Sequence, residues 1–175
     1  FLRGVTLLIN PTEVYGLGPY FPLAFASIAI GVAVAGFLNA RFVGRVGMRM
    51  ISHAALCGFL LASIFMMIAA FAGVLVLPLY IGLAMCTMFT FGLMVSNFTA
   101  LAMEPQGHIA GTASSLYGSI TTLLGIVMGT MIGQSYNGTM IPLATGFSLC
   151  ALTALLIVLV TERGRLFRTG KQPAH

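Results

Sequence analysis

Charge is scarce in this sequence. Only 6% of its 175 residues are charged, and neither aspartate nor tryptophan occurs. An ordinary soluble domain carries roughly 25% charged residues, so this composition excludes a water-soluble fold. Hydrophobic residues make up 59% of the chain, which indicates that most of it lies in lipid.

Acidic residues are the rarest charged group. The three that occur are all glutamates, and eight lysines and arginines bring the formal net charge to +5. A nucleic-acid-binding surface would need a basic stripe along one face. Here the basic residues form two clusters that flank apolar runs, as in membrane proteins, so we expect the lipid bilayer and no nucleic acid as a partner.

Patterns for metal, redox or enzyme chemistry are also lacking. The three cysteines lie inside apolar runs without CxxC or Cys/His spacing, and His53 and His108 have no second metal ligand nearby. No Gly-rich phosphate loop, catalytic triad or HExxH motif occurs. We expect no cofactor, no metal and no enzyme activity, since a membrane-embedded enzyme would have only Ser, Thr and Tyr for its site.

Five uncharged apolar runs are long enough to be membrane spans. A helix needs about 20 residues to cross the hydrocarbon core, whereas barrel strands would alternate and be about half as long. The sequence therefore predicts an all-α integral membrane protein. Its five transmembrane helices, within residues 13–162, are 20–39, 52–72, 74–102, 110–133 and 139–161.

The arginines predict the orientation of these spans, because short basic loops stay in the cytoplasm. Arg41, Arg45 and Arg49 follow the first span, and a basic tail, residues 163–175, follows the last. With both clusters inside, five spans alternate consistently and the C-terminus is cytoplasmic. The segment before the first span then lies outside, which requires an earlier helix. We expect residues 1–12 to be the end of that helix, truncated at its start.

Two predicted helices carry stripes of small residues, which let helix backbones approach closely in lipid. The fourth span has Gly118, Gly125 and Gly129 at steps of seven and four, and the first span has Gly31 and Ala35. One interpretation is ordinary packing inside this bundle. The other is that both stripes line an interface with a second bundle.

A further stripe in the third span is rich in Met and Phe. Methionine adapts to irregular shapes, so we predict that this stripe lines an apolar substrate cavity, with packing or lipid contact as the alternative. Its members are Met85, Phe89, Gly92 and Ser96. Asn97 and Thr99, close to its end, are either ligands or partners in interhelical hydrogen bonds.

Charged groups are expected only at the ends of the five complete spans. Inside a span they are costly, and none of the five contains a carboxylate that could carry protons, so we expect that group upstream. We hypothesise that Arg41, Arg45 or Arg49 pairs with Glu104 as a cytoplasmic gate that biases the closed state. The alternative is a solvated loop acid, whose pairing contributes about 0 to 1 kcal/mol.

Several short segments are characteristic of one transporter group. They are EVYGLGP at 13–19, NAR at 39–41 with RVGMR at 45–49, and ALAMEP at 100–105 followed by GHIAGTASSLYGS at 107–119. In these segments the chain resembles the Bcr/CflA multidrug efflux transporters of the major facilitator superfamily. On that resemblance, residues 1–12 correspond to the end of the seventh helix, and the five spans complete a C-terminal six-helix bundle.

The resemblance implies two six-helix halves, with substrate bound between them and alternating access by rocking. It assigns both small-residue stripes to the interface with the missing N-terminal half. The basic segment would be the second copy of the superfamily's glycine-and-arginine loop, here with Asn39 in place of that motif's aspartate. The family's proton-coupling motifs lie in the missing half.

The resulting expectation is export of small, largely apolar drugs by proton antiport across the bacterial inner membrane, with antibiotic resistance as the outcome. The sequence leaves a second interpretation open. In that case the chain is a non-transporting membrane subunit or a degenerate transporter remnant that only packs against a partner.

Overall fold

Five long helices make up most of the protein. The computed structural model describes residues 14–164, the side chain of His108 excepted, and contains no strand in that range. Each helix is long and apolar enough to cross a membrane, so the predicted all-α membrane fold is confirmed. The helices are α1 (Phe21–Val46), α2 (Met48–Phe71), α3 (Leu77–Met103), α4 (Ala110–Gln134) and α5 (Ile141–Thr161).

Two predicted segments fall outside this range. The expected end of an earlier helix, residues 1–12 with Arg3, lies outside the described residues, as do Glu13 and the basic tail beyond Gly164. Two short 3-10 helices complete the description. Gly18–Tyr20 leads into α1, and Glu104–Ile109 joins α3 to α4.

Proline marks the start of three helices. Pro22, Pro78 and Pro142 lie in the first turns of α1, α3 and α5. A proline there has no hydrogen bond to lose, and its fixed φ suits the helix. Helices α3 and α5 consequently begin three and two residues later than the predicted spans 74–102 and 139–161, because both predictions rested on hydropathy alone.

The first connection differs from the prediction. Helix α1 does not end at Asn39 but continues to Val46, so Arg41 and Arg45 lie on the helix rather than in a loop. Gly47, with φ of 89°, is the single residue between α1 and α2, and Arg49 already lies in the first turn of α2. Arginine is a good helix former whose long side chain reaches water from a helix end, so charge alone did not end the helix.

The core lies among α2, α3 and α5. Helix α3 packs against both α1 and α2, and α2 packs in turn against α5. The buried core residues are Met66, Ala69, Leu75, Tyr80, Ala84, Met140, Leu143 and Ala144. They lie towards one end of the bundle, which we call the opposite end. The basic end is the one that carries Arg41, Arg45, Arg49 and Arg163.

Tyr15 closes the core at the opposite end. Its hydroxyl donates a hydrogen bond to the carbonyl oxygen of Leu75 at 2.6 Å, and its ring centroid lies 5.5 Å from that of Tyr80. Burial raises the pKa of the Tyr15 phenol, so the hydroxyl keeps its proton and remains a donor. This contact ties the segment before α1 to the loop between α2 and α3.

Helix α4 is packed far less than the others. Gly133 is its only buried residue within the described part of the chain. Near that residue Ile132 packs against α5, where a Cβ added to Gly146 would lie 2.6 Å from the Ile132 side chain. Towards the basic end, Tyr117 contacts Thr99 of α3. Most of the surface between these two attachments is exposed.

Candidate functional site

An apolar cavity of about 250 Å³ lies among α1, α2, α3 and α5, in the half of the bundle near the opposite end. We call it the apolar cavity. Among the described lining residues, Tyr80 is the only one with a hydroxyl, and it is 6% exposed. The lining residues are Leu17, Phe21, Ala24, Phe25, Ile28, Met66, Tyr80, Ala84, Met88, Leu143 and Phe147. A few convergent polar groups in an apolar pocket are typical of small-molecule sites.

The predicted cavity stripe of α3 lies beside this cavity rather than on it. None of its four residues, Met85, Phe89, Gly92 and Ser96, lines the apolar cavity. Gly92 packs against α1, where an added Cβ would lie 3.1 Å from the Cβ of Ala35, and Ser96 is exposed. The cavity is lined instead by the neighbouring face of the same helix. A role for the predicted stripe in a cavity outside this bundle stays a prediction.

The small residues of α1 pack inside this bundle. A Cβ on Gly31 would lie 2.5 Å from the carbonyl oxygen of Met85 and 3.2 Å from the backbone nitrogen of Phe89. Ala35 is fully buried. Because α3 covers both Gly31 and Ala35, they are not available to a second bundle. This corrects the prediction that they line an interdomain interface.

The small residues of α4 show the opposite behaviour. A Cβ added to Gly118 or Gly125 would meet no atom within 4 Å. Gly125 is exposed, and Gly118 and Gly129 are half-buried. A Cβ at Gly118 or Gly125 would thus contact no described residue, and their predicted packing against a second bundle stays a prediction.

A second cavity, of about 540 Å³, opens at the basic end. We call it the polar pocket, and its polar lining comes from Arg49, His53, Glu104 and Glu162, with Thr161 beside them. Arg49 of α2 forms an ion pair with Glu162, which follows α5, at 3.8 Å between Nη1 and Oε2. A strong guanidinium–carboxylate hydrogen bond would be about 2.7–2.9 Å long, so this pair is a loose one.

The expected pairing of an arginine with Glu104 is not formed. In residues 14–164, Glu104 has no ion pair within 4.0 Å, although it shares the polar pocket with Arg49. Arg41 and Arg45 are exposed on α1 and do not line the pocket. The structure therefore contradicts the static pair and assigns Glu162 as the partner of Arg49. A gating role for the predicted residues stays a prediction.

Two side-chain hydrogen bonds join helices near the basic end. The amide nitrogen of Asn97 donates to Asn39 Oδ1 at 2.7 Å, linking α3 to α1, and Asn97 is 1% exposed. The hydroxyls of Thr99 and Tyr117 lie 3.2 Å apart, linking α3 to α4. The interhelical interpretation of Asn97 and Thr99 is thereby confirmed. Asn39, which stands where the superfamily motif has an aspartate, accepts this hydrogen bond from the neutral amide of Asn97 on α3.

Sequence reasoning missed two residues, Tyr80 and Glu162. Glu162 directly follows the last predicted span, 139–161. The alternation of spans places it on the same side of the membrane as Arg49, so the sequence already indicated that these two residues could meet. Tyr80 lies on the same face of α3 as Ala84 and Met88. The sequence favoured the neighbouring Met/Phe stripe as the cavity lining, and this face was therefore not considered.

Comparison with known proteins gives this geometry a context. The chain is 30% identical over 149 residues, 83% of its length, to the bicyclomycin resistance protein homologue of Haemophilus influenzae. It is 29% identical over 126 residues, 69% of its length, to YdgK, an uncharacterised MFS-type transporter of Bacillus subtilis. The predicted family resemblance is confirmed. This relative of the major facilitator transporters spans about a third of both proteins, 35% and 30% of their lengths.

No family model and no solved structure matches the chain. The names of the two relatives describe a resistance protein and a transporter, and neither describes an enzyme. Together with the five apolar helices, this similarity to major facilitator transporters supports a multi-pass membrane protein.

Proposed function

We propose that this chain is the C-terminal half of a secondary transporter that exports small, largely apolar compounds from bacteria by proton antiport. It would act in the inner membrane with its C-terminus in the cytoplasm, together with an N-terminal six-helix half. The apolar cavity carries the proposal. It offers apolar and aromatic side chains together with the hydroxyl of Tyr80, which is suited to a small apolar compound with one hydrogen-bonding group.

Binding in such a cavity draws on the burial of apolar surface, about 25 cal/mol for each Å² removed from water. A hydrogen bond to the hydroxyl of Tyr80 would fix the orientation of the bound compound. To be exported, the compound must bind the inward-facing and outward-facing states with different affinities, because a ligand shifts an equilibrium only by that difference. The cavity lies between α1 and the α2–α3–α5 core, so a shift of α1 relative to α3 would change its shape.

The exposed face of α4 supports an external partner. Gly118 and Gly125 leave room for another helix backbone to approach closely, which is how helices associate in lipid. The acidic residues in the described part of the chain, Glu104 and Glu162, each follow the end of a helix. We therefore place the proton-carrying carboxylate in the N-terminal half.

The proposal is tested by drug export from energised cells that express the full protein. Export should depend on the proton gradient and stop when a protonophore is added. Ala24→Leu extends a side chain of α1 into the apolar cavity and should impair export. Ala26→Leu is the matched control, because Ala26 is exposed on the same helix and does not line the cavity.

Equal export by both variants would show that the apolar cavity is not the drug site. Export that continues in the presence of a protonophore would contradict antiport. If the native protein inserts but exports nothing, a non-transporting subunit or a transporter remnant becomes the correct description.

A further inference from the structure

The polar pocket has a charge opposite to that of the chain. The protein carries a formal net charge of +5 and has only three acidic residues, yet two of them, Glu104 and Glu162, line this one pocket. Among the described lining residues, Arg49 is the only arginine or lysine. One positive and two negative charges, with His53 neutral, give these described side chains a formal charge of −1.

The two carboxylates differ in their surroundings. Glu162 has Arg49 at 3.8 Å, whereas Glu104 has no ion pair within the described residues and remains exposed to the pocket. Glu104 is the first residue after α3 and begins the 3-10 helix that follows. The pocket therefore presents one carboxylate that forms no ion pair with any described residue.

The pocket also has apolar lining residues. They are Phe98, Leu101 and Ala102 of α3, Pro105, and Val158 of α5. At about 540 Å³ the pocket is more than twice the size of the apolar cavity, and it falls in the range of roughly 300–1,000 Å³ found for small-molecule sites. Charged and apolar side chains in one pocket suit a ligand with one charged end and one apolar end.

A metal ion does not fit this arrangement. Among the described residues no three His, Cys, Asp or Glu side chains come close enough to hold a metal, although His53 and both glutamates line the pocket. An ammonium group needs fewer ligands, since it can pair with a single carboxylate.

We propose that the polar pocket binds an amphiphile that carries an ammonium head and an apolar tail. The head pairs with Glu104, and the tail lies along Phe98, Leu101 and Val158. The pocket opens where the spans end, so the head stays near water while the tail is shielded. Two kinds of molecule combine an ammonium head with an apolar tail, a membrane phospholipid with an amine headgroup and a soluble amphiphilic amine. This site is independent of the export proposed for the apolar cavity.

The test uses dodecylammonium as the probe and the intact protein in a non-ionic detergent, with binding measured by native mass spectrometry. Dodecanol, which has the same tail without the charge, should bind much more weakly. Glu104→Gln should weaken dodecylammonium binding about tenfold, since it removes one charge-assisted hydrogen bond. Glu13→Gln is the matched control, because it makes the same change at the third glutamate, which the alternation of the predicted spans assigns to the other side of the membrane.

Arg49→Gln separates a cation site from an anion site. It removes the positive charge beside Glu162, so dodecylammonium should bind more tightly. Weaker binding to this variant would mean that Arg49 itself holds the ligand, which overturns the proposal. Equal binding of dodecylammonium and dodecanol, or an unchanged affinity in Glu104→Gln, overturns it as well.

Two further arms identify the occupant. If phosphatidylethanolamine in phosphatidylglycerol vesicles displaces the probe, the natural ligand is a lipid amine. If it does not, a soluble amine is the ligand, and both outcomes support the site.

A chain that stops after Gly164 tests the basic tail. If only this shortened chain binds the probe, the tail occupies the pocket and the proposal is wrong.

Discussion

Helices α1 and α4 both carry small residues at helical spacing, but the two stripes have different surroundings. On α1, a Cβ at Gly31 would lie 2.5 Å from the backbone of α3. On α4, a Cβ at Gly118 or Gly125 would meet nothing within 4 Å. A small-residue stripe thus indicates that a backbone can come close, and the spacing alone does not say whether that backbone belongs to the same bundle.

The two stripes differ in what a substitution would affect, the stability of this bundle or its contact with a partner. The contact of α1 with α3 is internal, so changes there act on the fold of this bundle. The open face of α4 contributes nothing inside the described residues, so changes there act only on a partner. The variants that follow use this difference.

Gly31→Ala should have the largest effect on folding. The added methyl group would lie against the carbonyl oxygen of Met85, and backbone cannot move aside as a flexible side chain can. Overpacking of this kind costs about 1–3 kcal/mol. The measurement is the free energy of unfolding in detergent. Gly36→Ala is the control, since Gly36 is on the same helix with nothing within 4 Å; it should not destabilise the protein, and the helix propensity of alanine should add about 0.5–1 kcal/mol of stability.

If the two alanine variants were equally stable, α1 and α3 would have to separate easily, and the internal stripe would not hold the bundle together. That result would remove the distinction between the two stripes.

Gly125→Leu tests the other side of the comparison. Because Gly125 has open space around it, leucine should leave the stability of this bundle unchanged. Drug export should nevertheless fall severalfold, since the larger side chain keeps the proposed partner bundle from approaching. Export and unfolding are measured on the same variant, and the informative result is the loss of one without the other.

Gly36→Leu is the matched control for this variant. It also starts from an exposed helical glycine in open space, but its neighbour Phe37 is 70% exposed, so that surface already presents a bulky apolar group. Unimpaired export in Gly125→Leu would mean that no backbone packs closely against α4.

The sequence predicted the number and type of helices well because each span is a long uncharged run. It misplaced their ends where hydropathy and backbone geometry disagree. Arg41 and Arg45 continue α1 although they are charged, and only the positive φ of Gly47 ends it. Pro78 starts α3 later than the apolar run does.

The candidate site was harder to predict than the fold. On α3 the stripes through Met85 and through Ala84 are adjacent, and both are apolar at a spacing of three and four. Hydropathy gives them nearly equal weight. Only the position of α1, which covers Gly92 and leaves Ala84 and Met88 facing the apolar cavity, decides between them. The ion pair of Arg49 with Glu162 was likewise not predictable, because it depends on how the start of α2 and the end of α5 meet.

The hydrogen bond from Asn97 to Asn39 adds a smaller internal contribution. A double-mutant cycle with Asn97→Ala and Asn39→Ala should give a coupling free energy of about 0.6 kcal/mol, with about 1.7 kcal/mol as the upper limit seen in membrane proteins. The value stays modest because Asn97 also donates to the carbonyl oxygen of Leu93 in its own helix. Unfolding in detergent is again the measurement, and a coupling of zero would mean that the two helices do not depend on this contact.

The smallest effect is expected for Tyr117→Phe, which removes the hydroxyl that faces Thr99. The two oxygens are 3.2 Å apart, longer than the usual 2.7–2.8 Å, so the bond contributes about 0.5 kcal/mol or less to stability. Its effect should be local, because α4 is attached elsewhere mainly at its other end, where Ile132 packs against Gly146. Hydrogen exchange should become faster in the first turns of α4 and stay unchanged around Gly133.

A matched comparison makes this last test specific. Thr121→Val removes another hydroxyl of α4, but that hydroxyl only donates to carbonyl oxygens of its own helix, at Tyr117 and Gly118. It should leave the exchange of the first turns unchanged. If Tyr117→Phe behaves in the same way, the basic end of α4 is held by a partner outside the described residues, and that outcome would strengthen the proposed interface on its open face.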